Sequence, residues 1–146
     1  MNGEDVDGGT GCCGREADAC AFDKALLAHS ACCALARRRS VAEGEQLACN
    51  SPVALANCTT LVALLRERST FALRLPRGPL MHAQALKLQC GGVQGIRNAL
   101  QTADDDVHRL VGQAQQRWGS LTDLPWDAVV RDVVAWPPRR RAGPAR

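Results

Sequence analysis

The sequence has no tyrosine and few other aromatic residues, two phenylalanines and three tryptophans. Its core must therefore be built mainly from Ala, Leu and Val, which suits helices better than sheets. It also lacks any apolar run near the roughly 20 residues that a membrane helix needs. The acidic, glycine-rich start from Met1 to Gly11 does not resemble a secretory signal. We therefore expect a cytoplasmic protein that has no contact with a membrane and keeps its thiols reduced.

Motifs that would identify a reaction are missing as well. There is no Gly-x-Ser-x-Gly turn, and the glycines after Cys90 lack the Lys-Ser/Thr ending of a phosphate loop. The acidic run 104–106 lacks the alternation and the distal Glu of a calcium loop. A net charge of +3 and a terminal group of arginines without interleaved aromatics do not favour nucleic-acid binding. The sequence therefore points to neither an enzyme nor a nucleic-acid-binding protein.

The apolar periodicity predicts an all-α fold, a single small bundle of about four to five helices. We expect one helical domain over 16–138, preceded by a flexible leader over 1–15 and followed by a disordered basic tail over 139–146. The helices are predicted at 17–39, 52–75, 80–90, 93–118 with a break near Thr102, and 125–136.

The expected boundaries follow from residues with known positional preferences. Ser51 is a good N-cap and Pro52 suits the first helical position. Gly91 and Gly92 indicate the end of the third predicted helix. The arginine run 37–39 is typical of the C-terminal end of the first one, where cations are favourable.

Eight cysteines are the unusual chemical feature of the chain. In a reducing compartment they require an explanation other than disulfides. No Cys-x-x-Cys pair is present, which excludes the common zinc knuckles, the thioredoxin-type motif and the ferredoxin run. A metal site would therefore have to combine cysteines from separate helices.

Helix geometry selects the cysteines that could meet. If the first two predicted helices form an antiparallel hairpin about Glu45, Cys33 and Cys58 come to the same level, because they lie twelve and thirteen residues from it. Cys49 then lies in the connecting loop, and folding the third predicted helix back brings Cys90 within about two turns of Cys58. The predicted ligands are Cys33, Cys49, Cys58 and Cys90.

Cys32 and Cys20 are the other cysteines of the first predicted helix. Cys32 is an alternative to Cys33, because either can face inward. Cys20 is separated from Cys32 by roughly 18 Å on an unbroken helix, so the two cannot share a site. The roles of Cys12, Cys13 and Cys20 stay open at this stage.

The histidines add one neighbour to the predicted site. His29 lies one turn before Cys33 on the same predicted helix, where it could donate a hydrogen bond to a cluster sulfur or serve as a ligand, although an ordinary surface or core histidine is the favoured interpretation. No group of functional residues surrounds His82 or His108 in the sequence.

Two functions of different classes follow. In the first, the four cysteines bind an iron–sulfur cluster, with zinc as the alternative metal, in an electron carrier, redox sensor or accessory factor. In the second, the cysteines are core packing and the protein is a metal-free interaction module. Its fourth and fifth predicted helices would then bind a protein partner through Trp118, Trp126 and Trp136, unless these rings close the domain's own core.

Overall fold

The computed structural model describes residues 17–42 and 44–137, so the predicted leader over 1–15, with Cys12 and Cys13, and the predicted tail over 139–146 lie outside the described residues. The elements are α1 (Asp23–Leu27), β1 (Ala36–Val41), β2 (Gly44–Cys49), α2 (Pro52–Leu73), α3 (His82–Leu100), α4 (Val107–Trp118) and α5 (Trp126–Ala135), with a 3-10 turn (Leu121–Asp123) before α5. The fold is mostly helical, as predicted, but its antiparallel pair of strands means that it is not all-α.

The prediction of one long first helix over 17–39 is wrong. The five-residue helix α1 ends before His29, whose φ of 62° is left-handed, and the arginine run lies in strand β1. Across the hairpin Arg38 pairs with Glu45 at 2.7 Å, and the Arg39 guanidinium donates to the Gln46 side chain at 2.8 Å. The arginine side chains thus have polar partners on the opposite strand, as cross-strand pairs in a sheet do.

Helix α2 begins as predicted. The Ser51 hydroxyl accepts a hydrogen bond from the Ala54 N–H at 3.1 Å, and Pro52 is the first helical residue. The helix ends at Leu73, and Arg74 follows with a left-handed φ of 53°. Its buried residues, Leu61 and Leu65 among them, face the core.

Helix α3 does not stop at its glycine pair, so that predicted end and the predicted helix start at Val93 are both wrong. A Cβ added at Gly91 would lie 2.7 Å from the Cα of Val133, and one at Gly92 would lie 2.6 Å from Cδ1 of Leu65. The glycines therefore permit close packing against α5 and α2 and do not terminate the helix. The predicted break near Thr102 is confirmed, since α3 ends at Leu100 and α4 begins at Val107.

The three tryptophans belong to the core of the domain. Trp126 is buried, and Trp118 and Trp136 are half-buried and pack against the same hydrophobic cluster. They are therefore not exposed anchors for a partner. Within 17–42 and 44–137, no helix has the length and apolar character required to span a bilayer.

We expect Gly91→Ala to lower the free energy of unfolding by about 1–3 kcal/mol, the usual cost of overpacking, because the new methyl group meets the α5 backbone. The matched control is Gly112→Ala in α4, where an added Cβ meets nothing within 4 Å. That control should be more stable by about 0.5–1 kcal/mol, the helix propensity gain. Urea denaturation measures both, and a Gly91→Ala protein as stable as the parent would contradict the packing argument.

Candidate functional site

The segment before α1 is attached to the edge of strand β2. The Cys20 N–H donates to the Leu47 carbonyl at 2.9 Å, and the Cys49 N–H donates to the Asp18 carbonyl at 2.8 Å. The Asp18 carboxylate also pairs with Arg39 at 2.7 Å, and the Arg39 guanidinium holds its pKa below the ordinary value. These bonds place Cys20 beside the end of the hairpin that carries Cys49.

Helix α1 is held by a buried glutamine of α3. The Gln89 side-chain oxygen accepts from the backbone N–H groups of Lys24 and Ala25, at 2.9 and 3.1 Å. Gln89 is 6% exposed. A side-chain acceptor thus satisfies helix-start donors that have no partner within so short a helix.

The segment that carries Cys33 is held by the loop before α4. The buried Asp106 carboxylate accepts from the Ala34 N–H at 2.9 Å and also caps α4 through the Arg109 N–H at 3.2 Å. The backbone around Cys32 forms a parallel bridge with this loop, in which Val107 N–H donates to the Cys32 carbonyl at 2.8 Å. Cys33 is therefore fixed between the loop and strand β1.

These attachments bring four cysteines from four chain segments to one small cavity of about 20 Å³. Cys20 comes from the segment before α1, Cys33 from the segment before β1, Cys49 from the end of β2 and Cys58 from α2. The remaining lining is apolar apart from one histidine, and it consists of Ala21, Phe22, Ala36, Ala54, Leu55, Val107 and His108.

Burial determines the protonation of the two more deeply enclosed thiols. Desolvation raises the pKa of Cys20 to about 11 and that of Cys58 to about 12. The neighbouring Cys33 and Cys49 add to both shifts, which is a further sign of how close the four side chains are. At neutral pH Cys20 and Cys58 are therefore neutral thiols and weak nucleophiles.

Three of the four predicted ligands, Cys33, Cys49 and Cys58, line the cavity, and Cys90 does not. Cys90 is buried in the middle of α3, because that helix continues past the glycine pair where its end was expected. Cys32, the proposed substitute for Cys33, is exposed, and its thiol donates to the Asp105 carboxylate at 3.4 Å. Cys33 is thus the inward-facing member of that pair.

Two residues of the cavity escaped the sequence reasoning. The predicted straight helix over 17–39 would keep Cys20 away from Cys32, but that helix does not form. Cys20 instead precedes the short helix α1, whose start at Asp23 has no clear signal in the sequence. His108 had no functional neighbours in the sequence, yet it lines the cavity. His29 is exposed at the end of α1 and is not among the lining residues.

The side chains do not form a closed binding site for a single ion. Among the described residues, no group of three or more His, Cys, Asp or Glu side chains is arranged to hold a metal ion. The four thiols therefore surround a space without converging on one point. A cavity of about 20 Å³ is enough for roughly one water-sized occupant.

Loss of the Asp106 carboxylate should loosen the segment that carries Cys33. We expect Asp106→Ala to lower the free energy of unfolding by about 2–3 kcal/mol, since it removes a helix cap and leaves the Ala34 N–H without its acceptor. Asp106→Asn is the matched control, because its amide oxygen keeps one of the two bonds, and it should lose less. Guanidinium denaturation compares the two, and equal stability of parent and Asp106→Ala would refute this role.

The chain matches no known protein-family model, and no curated protein or solved structure is detectably similar to it. Its function has to be argued from the thiol cavity itself.

Proposed function

We propose that this protein binds an iron–sulfur cluster through Cys20, Cys33, Cys49 and Cys58 and acts as an electron carrier, redox sensor or accessory factor. The observation that carries the proposal is the convergence of four cysteines from four chain segments on one cavity. This set keeps three of the ligands that the sequence predicts and replaces Cys90 by Cys20.

The donor set favours iron over harder metals. Four thiolates are the usual ligands of [2Fe–2S] and [4Fe–4S] clusters, whereas magnesium and calcium prefer oxygen. The apolar wall formed by residues such as Phe22 and Val107 would keep water from the sulfur atoms. When bound, the cluster would supply one-electron redox chemistry, and the protein would set its potential through this wall.

The ligand spacing that each metal requires distinguishes a cluster from zinc. Zinc needs all four sulfur atoms about 2.3 Å from one point, and the described residues hold no group arranged in that way. A cluster contains several iron and sulfide atoms, so its ligands stand further apart. Because the cavity holds only about one water-sized occupant, the four side chains would have to turn outward on loading.

Loading also has to remove protons. Cys20 and Cys58 are neutral at pH 7, since burial raises their pKa, and a thiol must lose its proton to become a ligand. The four ligands come from segments that are distant in sequence and meet only in the folded chain. Binding free energy would therefore add to folding stability.

The test is anaerobic reconstitution of the full chain with ferrous iron and sulfide, followed by elemental analysis and absorption spectroscopy. We expect a coloured, iron-containing protein that melts at a higher temperature than the metal-free form. Changing any one of the four cavity cysteines to Ala should remove most of the iron, because the cluster loses one attachment.

Cys32→Ala and Cys90→Ala are the matched controls, one exposed and one buried, and both should retain iron. A colourless protein without iron after reconstitution would refute the proposal. If elemental analysis finds zinc and no iron, the site is a zinc site. If Cys58→Ala costs only about 1 kcal/mol and the parent holds no metal, the thiols are core packing.

A further inference from the structure

A second, larger opening lies directly beside the thiol cavity. It is a groove of about 330 Å³ between α2 and α4, and it shares Ala54, Cys58 and His108 with the cavity. These three residues are therefore the wall between the groove and the cavity. Cys58 is half-buried, and it is the one cavity cysteine that also lines the groove.

The rest of the groove mixes polar side chains with apolar ones such as Val111. Asn57 of α2 faces His108, Gln113 and Gln116 of α4 across it. The Arg109 guanidinium at its edge is neutralised by Asp104, which it contacts at 2.7 and 3.0 Å. The polar side chains give small hydrated solutes hydrogen-bond partners along the groove.

Gly112 lies in the middle of α4 and lines the groove. A glycine inside a helix costs about 1 kcal/mol relative to alanine. Gly91 is required by the contact with α5, but a Cβ at Gly112 would meet nothing within 4 Å. No close contact therefore requires a glycine at position 112, and this position can take a larger side chain at the groove.

We infer that this groove is the route by which thiophilic metal ions and small sulfur-reactive molecules reach the thiol cavity, and that Cys58 is the first thiol they meet. His108 and Ala54 complete the wall through which they pass. The inference rests on the proposed function only where it names metal ions as natural ligands of the cavity. The route itself can be tested without any metal.

The probe is methyl methanethiosulfonate, applied to the metal-free full chain. It forms a new S–S bond with a thiol by transferring its CH₃S group, its own S–S bond breaks, and methanesulfinate leaves as the thiol proton passes to solvent. Peptide mass spectrometry then gives the labelling rate of each cysteine separately. Cys32 serves as the exposed reference, and Cys90 reports global unfolding.

Gly112→Phe places a large side chain at the groove, where a Cβ meets nothing within 4 Å, and Gly112→Ala is the control that gains helix propensity but leaves the groove open. We expect Cys58 in Gly112→Phe to react at least about tenfold more slowly than in the parent, because it then reacts only after local opening. Cys32 and Cys33 should keep their rates, and Gly112→Ala should leave Cys58 at its parent rate, which is itself low because burial keeps this thiol protonated. Gly112→Leu is a second, smaller plug, and it guards against misfolding of the Phe variant.

Equal Cys58 rates in the parent and both plugged variants would overturn the inference. A uniform slowing of all buried cysteines, Cys90 included, would also overturn it, because that pattern reports stabilisation against unfolding. Anaerobic reconstitution of the parent with ferrous iron and sulfide separates the two proposals. If no iron binds while the plug still protects Cys58, the proposed function fails and the route stands.

Discussion

The thiol cavity depends on how the irregular segments of the first half of the chain satisfy their backbone N–H groups. Buried N–H groups need acceptors, and these segments have too little secondary structure to supply them. Two buried side chains do so, Gln89 for the start of α1 and Asp106 for Ala34. Both belong to the helical half, so the helices fix the positions of segments that carry Cys20 and Cys33.

The helical half can act as a rigid support because its own packing is close. Glycines let α3 approach α5 and α2 to within contact of their backbone and side chains, as at Gly91 and Gly92. Gln89 immediately precedes this contact, so the side chain that caps α1 is anchored in the tightest part of the core. Gly112 of α4 differs from these two glycines, because it lines the groove beside the cavity and an added Cβ there would meet nothing within 4 Å.

The sequence predicts the helices with clear local signals and misses what depends on distant partners. Ser51 and Pro52 define the start of α2 through local hydrogen bonding and backbone geometry, so that start is readable. The pair Gly91-Gly92 carries the same local signal as a helix end, and only contact with α5 reveals its other use. The sequence therefore predicts correctly that Cys58 lies within α2, and it predicts wrongly that Cys90 lies at the end of a helix.

The same reasoning separates a packing role from a binding role for the four thiols. A cysteine that serves as core filler should face occupied space, because a void forfeits the dispersion contacts of its lining. Cys20, Cys33, Cys49 and Cys58 instead border a cavity of about 20 Å³, which larger aliphatic side chains would close. Burial keeps Cys20 and Cys58 neutral, which removes the nucleophilic thiolate as the reason for their presence. The proposed coordination of a soft metal would use both the space and the sulfur atoms around it.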